Sequence, residues 1–124
     1  MRKFGLYYVY TMFNIIEPTV PQLSVGDVKK SMDAHENVIL LDVRTAGEYS
    51  RNKLENARNL PLDEVAERIE SIVPDKSMRI YVYCLSGSRS VHAVDAMVKL
   101  GYTNVFNVTG GLLAWRAKGH SVSS

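Results

Sequence analysis

One cysteine lies between a predicted strand and a predicted helix, and it is the residue best suited to chemistry. The run from Arg79 to Tyr83 is rich in β-branched and aromatic residues, which predicts a buried strand that ends just before Cys84. Apolar residues recur at helical spacing over residues 90–100, which predicts a helix. Because a helix N-terminus carries unpaired N–H groups and a partial positive charge, the loop between these elements is a predicted anion site.

The loop Cys84-Leu-Ser-Gly-Ser-Arg89 contains the residue types of a nucleophile held in such a site. Positive surroundings favour the thiolate of Cys84, which is the nucleophilic form. Gly87 permits a positive φ that turns successive N–H groups inward, and Arg89 adds a permanent charge. The alternative is that Cys84 is a small buried hydrophobic residue. A core cysteine, however, does not require Ser-Gly-Ser-Arg after it.

Helices and strands alternate along the rest of the chain. Ser24 is a predicted N-cap, with Asp27 completing a capping box, for a helix over residues 25–34. Further helices are predicted over residues 62–73 and 112–118, with a helical turn at residues 46–49, and further strands over residues 38–43, 57–60 and 105–108. This alternation predicts an α/β fold, a three-layer α/β/α sandwich with a mainly parallel central sheet.

Ligands of such sheets bind outside the carboxyl ends of the strands, so polar residues that follow the strands are candidates for the site. The candidates for binding an anionic substrate are Arg44, Lys53 and Arg58. Each of them could equally be a solvated surface charge or part of a structural ion pair. Asp42 and Glu48 are interpreted as structural support, with Asp42 ordering the loop through an arginine.

Composition excludes several classes of protein. The chain has 124 residues, a formal net charge of +2 and scattered basic residues, which give no basis for binding nucleic acid or an anionic membrane surface. A single cysteine excludes an internal disulfide and favours a reducing, cytoplasmic compartment.

Residues 1–19 form a hydrophobic extension, and residues 20–124 form the predicted domain. The nearly uncharged run at residues 4–16 is too short to span a bilayer as a helix. It resembles a secretory signal, but no small-residue cleavage site follows, so we expect none. Its aromatic residues favour an extended segment that lies on the domain or on a partner chain. Met12 could also be the true start.

Five segments in order resemble the rhodanese family over residues 20–122. They are Leu41-Asp-Val-Arg44 with Glu48-Tyr49, Ala57-Arg-Asn-Leu-Pro-Leu62, Tyr83-Cys-Leu-Ser-Gly-Ser-Arg-Ser90, Gly101-Tyr-Thr-Asn-Val105 and Gly110-Gly-Leu-Leu-Ala-Trp115.

The resemblance implies a rhodanese-like fold and a single-domain thiosulfate sulfurtransferase that carries sulfur as a persulfide on Cys84. It makes Cys84 and Arg89 the catalytic residues and assigns substrate binding to the loop, whose backbone N–H groups would surround the persulfide. It implies no cofactor and no metal. The partners would be a small anionic sulfur donor and a thiol or cyanide acceptor. The loop residues concerned are Leu85, Ser86, Gly87 and Ser88.

The chain departs from the family pattern at two turns. Asn52-Lys53 replaces the usual Gly-His, and Glu55-Asn56 replaces the usual Pro-Gly. Since asparagine tolerates positive φ better than other non-glycine residues, we expect both turns to persist.

Two other functions remain open. Cysteine phosphatases, with arsenate reductases beside them, also set a cysteine and an arginine around an anion, but with five residues between them. Here four residues separate Cys84 from Arg89, which suits one sulfur atom better than a tetrahedral phosphate. The second alternative is a sulfur-relay or binding module that takes a protein sulfur acceptor as its partner, or forms a homo-oligomer, through the N-terminal segment.

None of the predicted site residues precedes Asp42, which makes the extension testable. A chain that begins at Glu17 should fold and retain sulfur transfer at the rate of the full chain, although it could associate differently. The measurement is thiosulfate turnover of both chains, with circular dichroism to verify folding. A folded but inactive shortened chain would mean that the extension completes the site.

Overall fold

The apolar runs form strands, and these assemble into one parallel sheet. The computed structural model describes residues 18–124. Within this range the strands are β1 (Gln22–Leu23), β2 (Ile39–Asp42), β3 (Arg58–Asn59), β4 (Ile80–Tyr83) and β5 (Val105–Val108). Their order across the sheet is β1-β5-β4-β2-β3, and every neighbouring pair is parallel. The predicted parallel α/β sheet is confirmed.

Helices cover both faces of this sheet. They are α1 (Val25–Asp33), α2 (Ala46–Arg51), α3 (Val65–Ile72), α4 (Ser88–Lys99) and α5 (Gly111–Ala117), with a 3-10 turn at Leu62–Glu64. Apolar residues of α3 and α4 pack in one core cluster, whereas those of α1 and α5 pack in another. The predicted three-layer sandwich is therefore confirmed. No helix in the described part of the chain is long and apolar enough to cross a membrane.

The central strand β4 shows how the sequence divides the core between the two faces. Ile80 and Val82 belong to the cluster under α3 and α4, and Tyr81 and Tyr83 belong to the cluster under α1 and α5. Successive side chains of a strand point to opposite faces, so a continuous apolar run is buried on both. Cys84 continues this alternation and joins the α3/α4 side.

The structure differs from several predicted boundaries. The short strand β1 was not predicted, because two residues carry no periodic signal. The segment predicted as one helix over residues 62–73 divides into the 3-10 turn and α3, and α4 begins two residues earlier than predicted. Ser24 caps α1 by accepting the Asp27 N–H at 3.1 Å. The complete capping box is found instead at α2, between Thr45 and Glu48.

The two asparagine turns also differ from each other. Asn56 has a φ of 67°, as expected for a residue in place of glycine. Asn52 has a φ of −164°, so its turn uses extended backbone and needs no positive φ. The predicted extended segment at residues 4–16 lies outside the described residues, and the predicted boundary at residue 20 stays a prediction.

The N-terminus of α5 lies directly against the loop that follows β4. The N–H of Leu112 donates to the Cys84 carbonyl at 2.9 Å, and the N–H of Leu113 donates to the Leu85 carbonyl at 3.0 Å. Gly111 makes this contact possible, because a Cβ there would lie 2.5 Å from the Cys84 carbonyl oxygen. Its φ of 57° also favours glycine.

We expect Gly111→Ala to destabilise the protein more than Gly119→Ala. Both glycines have positive φ, so both substitutions carry a left-handed strain of about 1–2 kcal/mol. Nothing lies within 4 Å of a Cβ at Gly119, whereas a Cβ at Gly111 meets backbone atoms of the loop after β4. Urea denaturation measures both free energies of unfolding. Equal losses in the two variants would contradict the close approach of α5 to the loop.

Candidate active site

The candidate site lies between β2 and β4, where the connections that follow the two strands lead to opposite sides of the sheet. From β2 the chain continues to β3 on one side, and from β4 it continues to β5 on the other. Ligands of open parallel sheets bind in the crevice at this point, beyond the carboxyl ends of the strands. The ends of β2 and β4 are adjacent here, with Asp42 paired in register with Tyr83. The loop that starts at Cys84 therefore begins in the crevice.

The sulfur of Cys84 is enclosed by hydrogen-bond donors. The N–H of Gly87 lies 3.1 Å from Sγ and the N–H of Ser90 lies 3.4 Å from it. The Ser90 hydroxyl oxygen is a third neighbour, at 3.3 Å. Cys84 has an exposed fraction of 0 %, whereas Leu85, Ser86 and the side chain of Ser88 are exposed. The loop thus places its polar backbone under the surface, around a single sulfur atom.

The N–H groups face the sulfur because the carbonyl groups of the loop are bound elsewhere. The carbonyls of Cys84 and Leu85 accept the first N–H groups of α5. Gly87 then reverses the chain with a φ of 97°, and a Cβ there would lie 3.0 Å from the Gly110 nitrogen. A glycine is required at this turn because other residues are strained at such φ. This local folding produces the inward-facing amides that the sequence predicted.

Two opposing effects set the pKa of the Cys84 thiol. Burial is the largest and raises the pKa, because it disfavours the charged thiolate. The Ser90 hydroxyl, the Ser90 N–H and the N–H groups of Gly87 and Ser86 lower it. Together they outweigh burial, so the pKa of Cys84 lies below its ordinary value. The thiolate is consequently present at lower pH than in a free cysteine, whose pKa is about 8.5.

Arg89 is held by Glu48 from the neighbouring helix α2. Its two terminal nitrogens lie 2.8 and 3.0 Å from the two carboxylate oxygens. This pairing lowers the pKa of Glu48 to about 2, although burial acts to raise it, and the Thr45 N–H and hydroxyl add to the lowering. The stability that this pair contributes is therefore present above the unfolded pKa of about 4.3 and is lost as pH falls towards 2.

Asp42 and Arg44 form a second pair, which is buried. Arg44 has an exposed fraction of 3 %, and its Nη2 lies 2.8 Å from Asp42 Oδ2. The same guanidinium donates to the carbonyl and side-chain oxygens of Asn52. The amide of Asn59 donates at 3.0 Å to the backbone carbonyls of both Asp42 and Arg44. These contacts order the loop after β2, while the predicted binding of substrate by Arg44 stays a prediction.

Lys53 lies between α2 and β3, and Arg58 is the first residue of β3, the strand at the edge of the sheet. The backbone of Lys53 pairs with Ser123, and its ammonium lies 4.8 Å from the ring centroid of Tyr49. Arg58 is exposed, and its Cα pairs with Leu41. Among residues 18–124, no hydrogen bond or ion pair links either cation to Cys84. Their predicted roles in substrate binding stay predictions.

Sequence reasoning missed two polar residues beside the sulfur. Ser90 was named only as the start of a helix and the last residue of a family segment, and Asn107 only as part of a strand. Both are buried, and the Ser90 hydroxyl donates to Asn107 Oδ1. The available signal was Asn107 itself, since a polar residue inside an apolar strand usually requires a buried partner.

No cluster of three metal-ligating side chains occurs in the described range of residues.

Comparison with known proteins places this site in a family. The model of the rhodanese-like domain matches residues 24–118. The thiosulfate sulfurtransferase PspE of Escherichia coli is 41 % identical over 70 residues, which cover 56 % of this chain and 67 % of PspE. YrkF of Bacillus subtilis, named as a candidate sulfur carrier protein, is 33 % identical over 100 residues. That match covers 81 % of this chain but only 53 % of YrkF, so the chain spans about half of that relative's length.

A solved structure agrees with the family match. The solution structure of the rhodanese-like domain from the Alr3790 protein of Anabaena has a TM-score of 0.77 and 28 % identity to this chain. It covers 86 % of this chain, and the match covers 80 % of that domain. The two chains therefore share one fold. The chain therefore belongs to the rhodanese-like domain family, as its five motif segments predicted.

Proposed function

We propose that the chain is a sulfurtransferase that carries a sulfane sulfur from a small anionic donor, such as thiosulfate, to a thiol or cyanide as a persulfide on Cys84. The observation that carries this proposal is the enclosure of Sγ by the N–H groups of Gly87 and Ser90. Donors that converge on one sulfur atom stabilise a sulfur anion, which is the reactive species in both halves of such a transfer.

In the first half-reaction the thiolate of Cys84 attacks the outer sulfur of thiosulfate. A bond forms between Sγ and that sulfur, and the sulfur–sulfur bond of the donor breaks with its electron pair leaving on sulfite. The outer sulfur of the resulting persulfide lies about 2 Å from Sγ. The loop N–H groups would then face this sulfur, and the Arg89 guanidinium would stabilise the charge that develops on sulfite.

In the second half-reaction the acceptor attacks the outer sulfur of the persulfide. A bond forms between the acceptor and that sulfur, and the bond to Sγ breaks with its electron pair returning to Cys84. The thiolate is nucleophile in the first half and leaving group in the second, so a lowered thiol pKa assists both. No group other than the donor and the acceptor is required, and the scheme is ping-pong.

Access to the sulfur requires a movement of the loop. Cys84 has no exposed surface, and attack brings the donor sulfur into bonding distance of Sγ. The exposed loop residues Leu85, Ser86 and Ser88 are those that can move without unpacking the core. We infer that these residues shift outward as a donor enters and close again over the persulfide.

A sulfur relay that delivers to a protein acceptor is the second candidate. Leu85 and Leu113, whose backbones share a 3.0 Å hydrogen bond, have exposed fractions of 37 % and 54 % beside the catalytic loop. Exposed apolar side chains at the rim of a site are suited to contact with another protein. Steady turnover of thiosulfate and cyanide by the purified chain supports the free enzyme. Formation of the persulfide with no turnover supports the relay.

Replacing the nucleophile tests the chemistry directly. Intact-protein mass spectrometry after thiosulfate treatment should show one added sulfur atom per chain, which cyanide removes. Cys84→Ser should show no added sulfur and no turnover, because a serine hydroxyl stays un-ionised at neutral pH. Its melting temperature should remain close to that of the unmodified protein. Release of phosphate from aryl phosphates, without a sulfur adduct on Cys84, would instead support the phosphatase alternative.

Removing the charge at Arg89 tests the donor half-reaction. Arg89→Ala should slow persulfide formation by about 10- to 10³-fold, the usual effect of losing one charge-stabilising donor. Arg79→Ala is the matched control, because it removes another Arg–Glu pair, the one with Glu36, at the amino end of β4 and so at the opposite end of the strand from the loop. Stopped-flow measurement with thiosulfate gives both rates. A rate unaltered in Arg89→Ala at every donor concentration would mean that Arg89 only holds the loop.

A further inference from the structure

A buried chain of polar side chains leads away from the sulfur to the edge of the sheet. Ser90, in the first turn of α4, has its hydroxyl oxygen 3.3 Å from Cys84 Sγ and 2.5 Å from Asn107 Oδ1. Asn107, on β5, has its Nδ2 2.9 Å from Gln22 Oε1 and 3.4 Å from the Gly87 carbonyl oxygen. Cys84, Ser90 and Asn107 all have exposed fractions of 2 % or less.

The orientation of the Asn107 amide follows from its neighbours. A backbone carbonyl accepts hydrogen bonds and never donates them, so the atom that faces the Gly87 carbonyl is the amide nitrogen. Gln22 Oε1 accepts the second N–H of that nitrogen and is itself held at 2.7 Å from the Thr109 hydroxyl. The amide oxygen of Asn107 therefore points at Ser90, and it has no proton to give.

The Ser90 hydroxyl consequently has one proton and two possible acceptors. When it donates to Asn107, its lone pairs face Cys84, and they can accept the S–H of a neutral thiol. When Cys84 is a thiolate, the favourable arrangement is the reverse, with the hydroxyl donating to sulfur and the Asn107 oxygen left without that proton. Rotation about a single C–O bond converts one arrangement into the other.

We propose that Asn107 is a positioning residue that competes with Cys84 for the hydroxyl proton of Ser90, and so limits how strongly the thiolate is stabilised. Its consequence for sulfur transfer rests on the proposed function, but the competition itself is a property of the folded thiol. Removal of the Ser90 hydroxyl takes a donor from the thiolate. Removal of the Asn107 oxygen leaves that donor free for the thiolate. The two substitutions should therefore shift the pKa of the Cys84 thiol in opposite directions.

Other ionisable groups near the sulfur do not produce this opposition. Arg89 on α4 pairs with Glu48 on α2, and Asp42 pairs with Arg44 after β2. His92, also on α4, is exposed to solvent. Strands β1 and β5 and the first turn of α5 contain no ionisable side chain. The side chains of Ser90 and Asn107 bond to Cys84, to Gln22, to Gly87 and to each other rather than to these groups.

The test measures the pH dependence of Cys84 alkylation by iodoacetamide in the full chain. Ser90→Ala should raise the thiol pKa by about one pH unit, the effect of losing one hydrogen bond to a charged group. Asn107→Leu, which keeps the shape of the side chain, should lower it by a smaller amount. The double variant should match Ser90→Ala alone, because the other contact of Asn107 within the loop, the 3.4 Å bond to the Gly87 carbonyl oxygen, is long and weak. Asn107→Val, which suits a strand containing Val105 and Val108, is the second variant.

Ser31→Ala is the matched control. It removes another buried helical hydroxyl, bonded at 2.9 Å to the Tyr81 hydroxyl and remote from Cys84. It should lower the melting temperature and leave the thiol pKa unaltered. A raised or unaltered pKa in a folded Asn107 variant, or a double variant that differs from Ser90→Ala, would overturn the proposal. Because alkylation requires no sulfur transfer, these outcomes are distinct from a failure to form the persulfide, which would overturn the proposed function alone.

Discussion

The geometry of the loop that follows β4 depends on where its carbonyl groups are bound. The first N–H groups of α5 take the carbonyls of Cys84 and Leu85, so the N–H groups that follow are turned towards the sulfur. Gly87 then reverses the chain, and the Ser90 N–H lies in the first turn of α4, where N–H groups have no partner within the helix. The close approach of Gly111 to the Cys84 and Leu85 carbonyls is thus a condition of the proposed chemistry.

Burying a thiolate is unfavourable unless hydrogen bonds replace its hydration. Each hydrogen bond to a charged group contributes about 1.5–3 kcal/mol. Two backbone N–H donors lie within 3.4 Å of Sγ, and the Ser90 hydroxyl at 3.3 Å is a third when it turns its proton from Asn107 to the sulfur. This is enough to offset the burial of one soft anion, in keeping with the lowered pKa of Cys84. The nearby charges are arranged as two neutral pairs, Arg89 with Glu48 and Asp42 with Arg44. Stabilisation of the thiolate therefore comes mainly from short-range donors, and we expect it to depend little on salt.

Local sequence predicted the parts of this molecule whose signals are local. Apolar runs predicted β2, β4 and β5, and the glycine at position 87 predicted the turn that aims the amides. The supporting roles of Glu48 and Asp42 were also predicted, and so was an arginine partner for Asp42. The pairing of Glu48 with Arg89 was not predicted, since these residues are 41 positions apart in the sequence. The strand β1, the contact of α5 with the loop and the Ser90–Asn107 hydrogen bond were not predicted. Each of them depends on the sheet order, which brings β1, β5 and β4 together and which no short segment encodes.

Gly87 joins the two sides of the site, because its N–H donates to the sulfur and its carbonyl accepts from Asn107. In the proposed sulfur transfer, formation of a persulfide would move the negative charge about 2 Å outward from Sγ. The donors around Sγ would then face less negative charge, and the Ser90 hydroxyl could donate to Asn107 Oδ1 instead. Under this proposal the loop would accommodate the thiolate and the persulfide by rotating one hydroxyl, without breaking the contact between Gly87 and Asn107. A site that alternates between two charge positions is served by a donor that has two acceptors within reach, and an apolar residue at position 107 would provide only one.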